Sequence, residues 1–253
     1  MVLGMIDLNR PRNRLLGSLP DADWLKLQDA FHPVELEAGQ VLVDQHEPIS
    51  QVFFPTTCVI ATVAVFTDGR NALTATIGRE GMAGPAAVLG SDRAIHRNIV
   101  QVDGSATTMA YEAFRRAQQD FPAFRRVLAA YSRVFLAHVM QSVACSSLHN
   151  VEQRCARFML RWHDRSDGDG FLLTQELLSE MLGVSRAAVN KAARTLQEAG
   201  LIRYRRGLVS VVDRAGLEAS SCECYRIIRS HYYDNLPEEL VECSSWKEEK
   251  ETG

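Results

Sequence analysis

The 253-residue sequence predicts an α+β fold: a β-rich roll, then one long helix, then a small domain of helices and two strands. Three observations predict it. Short runs rich in Val, Ile, Phe and Thr recur between residues 40 and 110, separated by Pro, Gly and Asp. Neither Gly nor Pro occurs from residue 123 to residue 167. Between residues 173 and 206, two helical patterns flank a glycine.

The first half of the chain contains six short runs that predict strands. Many short strands with frequent turns are typical of a sandwich or a roll. Asp68-Gly69 falls between the third and fourth runs and predicts a hairpin turn, because glycine accepts a positive φ. The predicted strands are Gln40–Val43, Gln51–Phe54, Cys58–Phe66, Ala72–Ile77, Asn98–Val102 and Ser105–Ala110.

Two helices are predicted next, a long one from about Ala123 to Leu148 and a shorter one over Val151–His163. The long helix is apolar on two sides, and such a helix must bury both. One side would pack on its own domain and the other on a second copy, which predicts a homodimer; a core helix of a large monomer is the alternative. The predicted dimer seam follows alternating spacings of three and four residues. Its members are Leu128, Tyr131, Phe135, His138, Ser142 and Cys145.

The segment Leu173–Arg206 carries the most specific pattern in the chain. Thr174 is a suitable N-cap for a short helix over Gln175–Leu182. Gly183 then predicts a tight turn, and Ser185 caps a second helix that ends before a C-cap glycine. A short helix, a glycine turn and a second helix together predict a helix-turn-helix motif.

The second helix of this motif presents a polar and basic face, since 3.6 residues complete a turn. Arg can donate two hydrogen bonds to guanine, and Asn can pair with adenine. Two further strands, Leu201–Arg206 and Leu208–Val212, place arginines beside the backbone as a wing, which predicts double-stranded DNA as a partner. A solvated helix face and a helical hairpin that only packs are the alternatives. The face comprises Arg186, Ala187, Asn190, Lys191 and Arg194, and the wing Arg203, Arg205 and Arg206.

The distribution of charge along the chain agrees with DNA binding by the second helix and the wing, although the total charge of -3 does not. Residues 182–214 hold seven basic and two acidic side chains, a local charge of +5, whereas residues 236–253 hold two basic and six acidic ones. No apolar run is expected to span a membrane, and the N-terminal stretch lacks the apolar core of a signal peptide. Six unevenly spaced cysteines then favour reduced thiols in a cytoplasm.

A family resemblance rests on the stretch LTQELLSEMLGVSRAAVNKAARTLQEAGLI, which resembles the winged-helix domain of the Crp/Fnr transcription regulators. The β-rich half and the long helix are similar to that family too. The resemblance implies a cyclic-nucleotide-binding-like jelly roll over 1–122, a dimerisation helix over 123–149 and a winged helix over 150–235, with 236–253 as a flexible tail. It also implies a bacterial, cytoplasmic, non-enzymatic regulator that binds pseudo-palindromic DNA, RNA polymerase and an unidentified effector.

Residue by residue, the family's recognition-helix pattern is only partly matched. Ser185 and Arg186 match it, which implies a phosphate contact and a guanine contact. The family's Glu is replaced by Ala187, which accepts no hydrogen bond, and its Arg by Lys191, which lacks the planar fork. A half-site different from the family's usual one is therefore expected. Thr174 and Gln175, at the start of the first helix, are also expected at the DNA.

The ligand pocket implied by the resemblance departs further from the family. Cyclic-AMP-binding members use a Gly-Glu-Leu turn and an Arg-Ser or Arg-Thr pair. This chain has Gly84-Pro85-Ala86 and, later, His96-Arg97. Pro85 offers neither a carboxylate nor a backbone N–H, so cyclic AMP is not expected as the effector. Gly84, Pro85, Ala86, His96 and Arg97 are the candidate effector residues.

Other chemistry is not expected from the remaining motifs. The first cysteine is Cys58, which disfavours an N-terminal iron–sulfur sensor. Cys222-x-Cys224 is interpreted as helix packing, because metal sites more often use Cys-x-x-Cys and need further ligands. Scattered histidines disfavour a cupin-like metal enzyme. The functional alternative left open is a small-molecule-sensing module that acts through protein contacts without DNA. No cofactor or metal is expected.

Overall fold

The computed structural model describes residues 10–166 and 168–235. These residues divide into two compact units. The first unit comprises residues 10–63, 76–133 and 233–235, and the second comprises residues 64–75 and 134–232. The boundary falls inside the long helix, so both units contain part of it. The predicted acidic tail, 236–253, lies outside the described residues.

The β-roll consists of two sheets built from seven strands. One sheet has the order β1-β7-β3 and the other β2-β6-β4-β5. All six predicted strands are confirmed to within two residues at each end. The first strand was not predicted, because a proline interrupts its short apolar pattern. The strands are β1 (His32–Leu36), β2 (Val41–Val43), β3 (Gln51–Pro55), β4 (Val59–Val65), β5 (Asn71–Ile77), β6 (Arg97–Val102) and β7 (Gly104–Ala110).

Four short helices accompany the roll in the first unit, and an aromatic core lies among them. The Phe31 ring meets Phe54 edge-on with centroids 5.6 Å apart, and Phe114 meets Phe124 in the same way at 5.8 Å. Edge-to-face pairs of this kind favour a single packing arrangement. The helices are α1 (Arg14–Gly17), α2 (Asp21–Leu27), α3 (Pro85–Val88) and α4 (Tyr111–Asp120), with a 3-10 turn at Gln28–Ala30.

Helix α5, Pro122–Leu148, confirms the predicted long helix. Tyr131 fixes its first half in the first unit, because the Tyr131 hydroxyl donates to the carbonyl oxygen of Met82 at 3.0 Å. The ring lies so close to Gly81 that a Cβ there would come within 2.6 Å of it. A glycine at position 81 is therefore required by this close approach.

The predicted dimer seam on α5 is wrong in its rotation about the helix axis. Leu128, Tyr131 and Cys145 are at most 1% exposed and His138 is buried, so they pack inside their own chain. Phe135 and Ser142 are half-buried. The periodicity identified an apolar side correctly but could not tell which of two sides faces the chain's own core. The side left open, here called the exposed seam, comprises Ala129, Arg133, Leu136, Met140, Val143 and Ser147.

By length and composition alone, α5 could also cross a membrane, since an 18-residue window in it has a mean hydropathy of 1.2. By this criterion of length and hydropathy, the expectation that no apolar run approaches the length of a membrane-spanning helix is wrong. A helix that packs two apolar sides against protein meets the same criterion. Arg133, in the middle of the helix, is exposed on one of those sides.

The second unit is built from helices around a three-stranded antiparallel sheet of order β8-β10-β9. The predicted helices over Val151–His163 and Gln175–Leu182 are confirmed. The last two helices and the first strand were not predicted; the strand has only three residues, which is too short to show a periodic pattern. The elements are α6 (Val151–His163), β8 (Gly170–Leu172), α7 (Gln175–Leu182), α8 (Arg186–Glu198), β9 (Ile202–Arg205), β10 (Leu208–Val211), α9 (Arg214–Ser220) and α10 (Cys224–Asn235).

A part-buried ionic network around Arg214 joins three helices of the second unit. The Arg214 guanidinium donates to Asp164 Oδ1 at 2.8 Å and to the Tyr225 hydroxyl oxygen at 2.6 Å. It also donates to Nδ1 of His163 at 2.6 Å and pairs with Glu218 at 3.0 Å. These groups lie at the C-terminal end of α6 or in α9 and α10, so a single cation fixes the C-terminal helices on α6.

Asn13 has a comparable role in the first unit, through a fully buried amide. Its Nδ2 donates to the carbonyl oxygens of Pro55 at 2.9 Å and Gly81 at 2.8 Å. Its Oδ1 accepts from the backbone N–H groups of Leu15 at 3.0 Å and Leu16 at 3.3 Å, which caps α1. All four hydrogen-bonding positions of the amide are therefore used.

Replacement of Asn13 by alanine should lower the free energy of unfolding by about 2–4 kcal/mol, because it leaves four buried backbone groups without their partner. Urea unfolding of the full chain would measure the change. Asn71→Ala is the matched control, since Asn71 is exposed at the start of β5 and should change the value by about 0.5 kcal/mol or less. Equal effects of the two substitutions would contradict the role of Asn13.

Candidate nucleic-acid interface

The helix-turn-helix motif is set by two caps and one glycine. Thr174 Oγ1 accepts from the backbone N–H of Leu177 at 3.1 Å, and Ser185 Oγ accepts from that of Ala188 at 3.2 Å. Gly183 between them has φ 62° and ψ 38°, the left-handed conformation that glycine adopts without strain. These are the three positions predicted to bound the helices, and helices α7 and α8 begin and end as expected.

The inner side of α8 is packed tightly, which fixes what its outer side presents. Val189 is fully buried, and Ala192, Ala193 and Leu196 are at most 3% exposed. Burying these aliphatic side chains contributes roughly 1–3 kcal/mol for each large one. The helix therefore cannot rotate about its axis without exposing this apolar side.

The outer side of α8 is the face that the sequence predicted to be basic. Its five predicted members are all exposed, and all lie within the first nine residues of the helix. The helix N-terminus adds a partial positive charge to the same end. The exposed members are Arg186, Ala187, Asn190, Lys191 and Arg194.

The predicted wing is present as the β9–β10 hairpin. Arg206 and Gly207 form its turn with positive φ values of 52° and 81°, and Arg203, Arg205 and Arg206 are exposed. Tyr204 fixes the hairpin: its hydroxyl donates to the carbonyl oxygen of Leu173 at 2.5 Å, and burial raises the pKa of Tyr204 to about 12. The three arginines are thus carried by a hairpin tied to the start of the motif.

Two carboxylates on the motif pair with the basic face, and neither of them was predicted to belong to the site. Arg186 forms an ion pair with Glu176 of α7, and Arg194 pairs with Glu198 at 2.8 Å along α8. All four side chains are more than half exposed, so each pair contributes little to stability. The signal for Glu176 was the spacing across the turn, which brings the first turn of α7 beside that of α8.

Three predicted residues at the motif have more limited roles in the free chain. The hydroxyl oxygens of Thr174 and Ser185 already accept capping hydrogen bonds, although each hydroxyl hydrogen is still able to donate. Gln175, the first residue of α7, is half-buried. Contact with a phosphate from Ser185 is compatible with its capping role, because the cap uses the oxygen only as an acceptor.

The candidate effector residues lie in the first unit, in two places. Gly84 has φ 89° and precedes α3, which begins at Pro85 with Ala86 buried behind it. Arg97 donates from Nε and Nη2 to the two carboxylate oxygens of Asp44 at 2.9 and 2.8 Å. These hydrogen bonds hold the pKa of Asp44 below its usual value. The planar fork of Arg97 is therefore already occupied by a carboxylate.

His96, beside Arg97, is half-buried, and burial lowers the pKa of His96, with a smaller effect from the charge of His46. A neutral imidazole at this place attracts an anion less than a protonated one. Both residues that follow α3 in the predicted pocket are thus poorly suited to hold a phosphate group in this conformation.

Comparison with known proteins gives a family match for the second unit and fold matches for the chain. Residues 153–220 match the family model described as a Crp-like helix-turn-helix domain. The comparison with curated protein sequences gives no match. Many solved structures are similar in fold.

Three of these structures illustrate the likeness. FixK2 from Bradyrhizobium japonicum is 17% identical with a TM-score of 0.67, covering 76% of this chain and 98% of that one. The c-di-GMP responsive global regulator CLP from Xanthomonas campestris is 15% identical with a TM-score of 0.61, and the match covers 76% of this chain and 99% of that one. A putative Crp/Fnr-family regulator from Eubacterium rectale is 16% identical with a TM-score of 0.61, covering 84% and 97%.

At these identities the structural likeness establishes the fold, and the match to the family model establishes the kind of domain at residues 153–220. Both agree with the cap and glycine geometry of α7 and α8. The chain therefore has the fold of the Crp/Fnr transcriptional regulators and contains a Crp-like helix-turn-helix domain.

Proposed function

We propose that this protein is a homodimeric, DNA-binding regulator of transcription that reads a pseudo-palindromic site with α8. The observation that carries the proposal is the exposed basic face of α8 together with the basic wing, on a Crp-like helix-turn-helix domain. The proposal includes a cytoplasmic location, contact with RNA polymerase and no catalytic activity. A module acting only through protein contacts would leave this basic surface without a ligand.

In the proposed complex, the first turns of α8 lie in the major groove. Arg186 would donate its two hydrogen bonds to one guanine, and Asn190 would pair with an adenine. Ala187 can accept nothing from a base and can only contact a thymine methyl group. Lys191 supplies a charge without a planar fork. This residue set supports a half-site of its own rather than the usual one of the family.

The ion pair with Glu176 gives Arg186 a resting partner in the free protein. A guanine offers two acceptors in the plane of the guanidinium, whereas Glu176 holds an exposed arginine only weakly. Moving Arg186 from the carboxylate to the base therefore costs little. Once Arg186 has moved to the base, the Glu176 carboxylate is left unpaired close to the DNA. It would therefore disfavour DNA sites that offer Arg186 no guanine in exchange.

The wing arginines would act on the sugar-phosphate backbone. Arg203, Arg205 and Arg206 are exposed on a short hairpin that Tyr204 fixes. Phosphate contacts add affinity on every sequence and release counterions, so they make binding dependent on salt. The two groups of arginines therefore have different roles. Those of α8 would select the DNA sequence, and those of the wing would position the domain on the DNA backbone.

Dimerisation is supported by the exposed seam of α5. Leu136, Met140 and Val143 are at least 60% exposed, at spacings of four and three residues. An apolar row at that spacing is the pattern that packs against a second helix as a coiled coil. A two-fold dimer would place two copies of α8 about one helical turn apart, roughly 34 Å, which fits a pseudo-palindrome.

The effector is proposed to be a small molecule other than cyclic AMP. Pro85 replaces the residue whose carboxylate would hold a ribose, and Arg97 is bound to Asp44 in the place of a phosphate. An effector at the roll would then act through α5, which both units contain.

Arg186→Ala should cost about 1–3 kcal/mol per half-site on the preferred sequence, a loss of roughly 5- to 150-fold, and should relax selectivity at the guanine position. Selection of sites from random DNA with the wild-type chain gives the preferred sequence. Titration by fluorescence anisotropy then measures the variants. Arg115→Ala, at an exposed position of α4, is the control. Unchanged footprints with Arg186→Ala would contradict the assignment of α8.

Arg205→Ala should instead weaken binding to all sequences by a similar factor and lower the slope of log K against log salt by about 1, since one phosphate contact is lost. The measurement is the same titration at several salt concentrations, on the selected site and on unrelated DNA. A sequence-selective loss would contradict the wing assignment.

Leu136→Glu should convert a dimer to a monomer and weaken binding to the full site by about 100-fold, because two carboxylates would have to be buried at the seam. Sedimentation equilibrium measures the mass. Leu89→Glu is the matched control, since Leu89 is 80% exposed and lies outside α5. A wild-type chain that sediments as a monomer when bound to its site would contradict the dimer.

Cyclic AMP added at a concentration about 100 times a typical micromolar Kd should leave the melting temperature of the full chain unchanged within about 1 °C. Real binding at that excess would stabilise the fold by about 2.7 kcal/mol, which corresponds to several degrees for a chain of this size. Thermal-shift titration of the full chain measures it. A rise of about 5 °C or more would contradict the proposal about the effector.

A further inference from the structure

A cluster of three cysteines and one histidine lies in the second unit. Cys145 and His149 are at the end of α5, and Cys222 and Cys224 are at the start of α10. We propose that these four side chains are the ligands of one structural metal ion, which the donor set identifies as Zn²⁺. The interpretation of Cys222-x-Cys224 as simple helix packing lacked the other two ligands.

The distances fit a single tetrahedral ion. All four potential donor atoms lie within 4.8 Å of one another. The sulfur atoms of Cys145 and Cys222 are 3.5 Å apart, and Cys224 Sγ lies 3.6 Å from His149 Nδ1. Zinc–ligand bonds of about 2.3 Å to sulfur and 2.0–2.1 Å to nitrogen give ligand-to-ligand separations of about 3.5–3.8 Å in a tetrahedron. Only small side-chain movements are needed to enclose an ion.

The site is closed to solvent, as structural zinc sites are. The three cysteines are at most 2% exposed, and the side chain of His149 is 15% exposed. Four ligands of this kind leave no open coordination position for water. The donor set of three thiolates and an imidazole is typical of structural zinc, whereas calcium and magnesium take oxygen ligands.

Helix ends hold both ligand pairs, since His149 directly follows α5 and Cys222 precedes α10 by two residues. Cys145 and His149 are four residues apart on one face of the helix, and the His149 N–H still donates to the Cys145 carbonyl oxygen at 3.1 Å. In the other pair, the Tyr225 N–H donates to the Cys222 carbonyl oxygen at 3.0 Å. The Tyr225 hydroxyl also accepts a hydrogen bond from Arg214, so the ionic network around Arg214 helps to position Cys222 and Cys224.

Outer groups orient two of the ligands. Glu223 Oε2 lies 3.1 Å from Nε2 of His149, which directs the other ring nitrogen, Nδ1, toward the cluster. A carboxylate behind a histidine ligand is the usual arrangement at zinc sites. Gln141 Nε2 donates to Cys224 Sγ at 3.1 Å. A hydrogen bond of this kind stabilises a coordinated thiolate by reducing its negative charge.

The charge of the complex has a counterion within the same unit. Three thiolates with one Zn²⁺ carry a net charge of -1, and a buried charge needs a partner. Arg157 of α6 is buried, and its positive charge acts on both Cys145 and Cys222. Its Nε has no hydrogen-bond partner among residues 10–166 and 168–235. A buried cation beside two of the three thiols is explained by thiolates that bind a metal.

The test uses the full chain, expressed with zinc and purified under reducing conditions without chelator. Metal analysis should find about one zinc per chain after dialysis. Cys224→Ser and His149→Gln should each remove most of it. Cys155→Ser is the matched control, because Cys155 is an equally buried free cysteine in the second unit but outside the cluster, and it should retain the metal.

Two further measurements keep the test independent of folding defects in the ligand variants. Co²⁺ added to the reduced apo wild type should give the intense visible bands of a four-coordinate thiolate site. Glu223→Gln, which leaves all four ligands in place, should weaken zinc affinity by about 10- to 100-fold. A reduced, folded wild type that binds no zinc, six-coordinate cobalt spectra, or full zinc retention by Cys224→Ser would each overturn the proposal.

Discussion

The second unit depends on how a part-buried cation, Arg214, is satisfied. Removing a guanidinium from water is costly unless its donors find acceptors, and here Asp164, His163, Tyr225 and Glu218 supply them. Because these acceptors belong to three different helical segments, one charge determines where α9 and α10 lie on α6. The same network directs the first residues of α10 toward the end of α5. This placement of α10 brings Cys222 and Cys224 close to Cys145 and His149.

The basic face follows from a different constraint, the burial of the opposite side of α8. Val189 and its buried neighbours fix the rotation of the helix, and Gly183 with the two caps fixes where it begins. The polar residues therefore point outward because the opposite side of the helix is buried, and the ion pairs of Arg186 and Arg194 are not needed to hold the helix in this rotation. The exposed ion pair with Glu176 is weak enough to exchange, and this combination of a rigid helix with loosely held side chains suits a surface that has to select among DNA sequences.

Local signals predicted much of the fold from the sequence. Thr174, Gly183 and Ser185 bounded two helices correctly because capping and positive φ are decided within a few residues. The predicted dimer seam lies one or two residues away from the exposed seam, since periodicity reveals an apolar stripe but not the surface that it meets. The cysteine cluster was beyond local reasoning, because Cys145 and Cys222 are 77 residues apart in the chain. The partner of Arg97 was missed for the same reason, since Asp44 precedes it by 53 residues.

Arg133 gives the exposed seam an electrostatic property that its apolar members do not have. It lies one step along the seam from Leu136, and if the two α5 helices of the proposed dimer run parallel about the two-fold axis, each seam residue faces its own copy. Two like charges would then meet across the symmetry axis, where added salt screens their repulsion. Salt would have the opposite effect on the phosphate contacts proposed for the wing. In the proposed dimer, ionic strength would thus favour assembly of the two subunits and oppose their binding to DNA, so DNA binding would be tightest at an intermediate salt concentration.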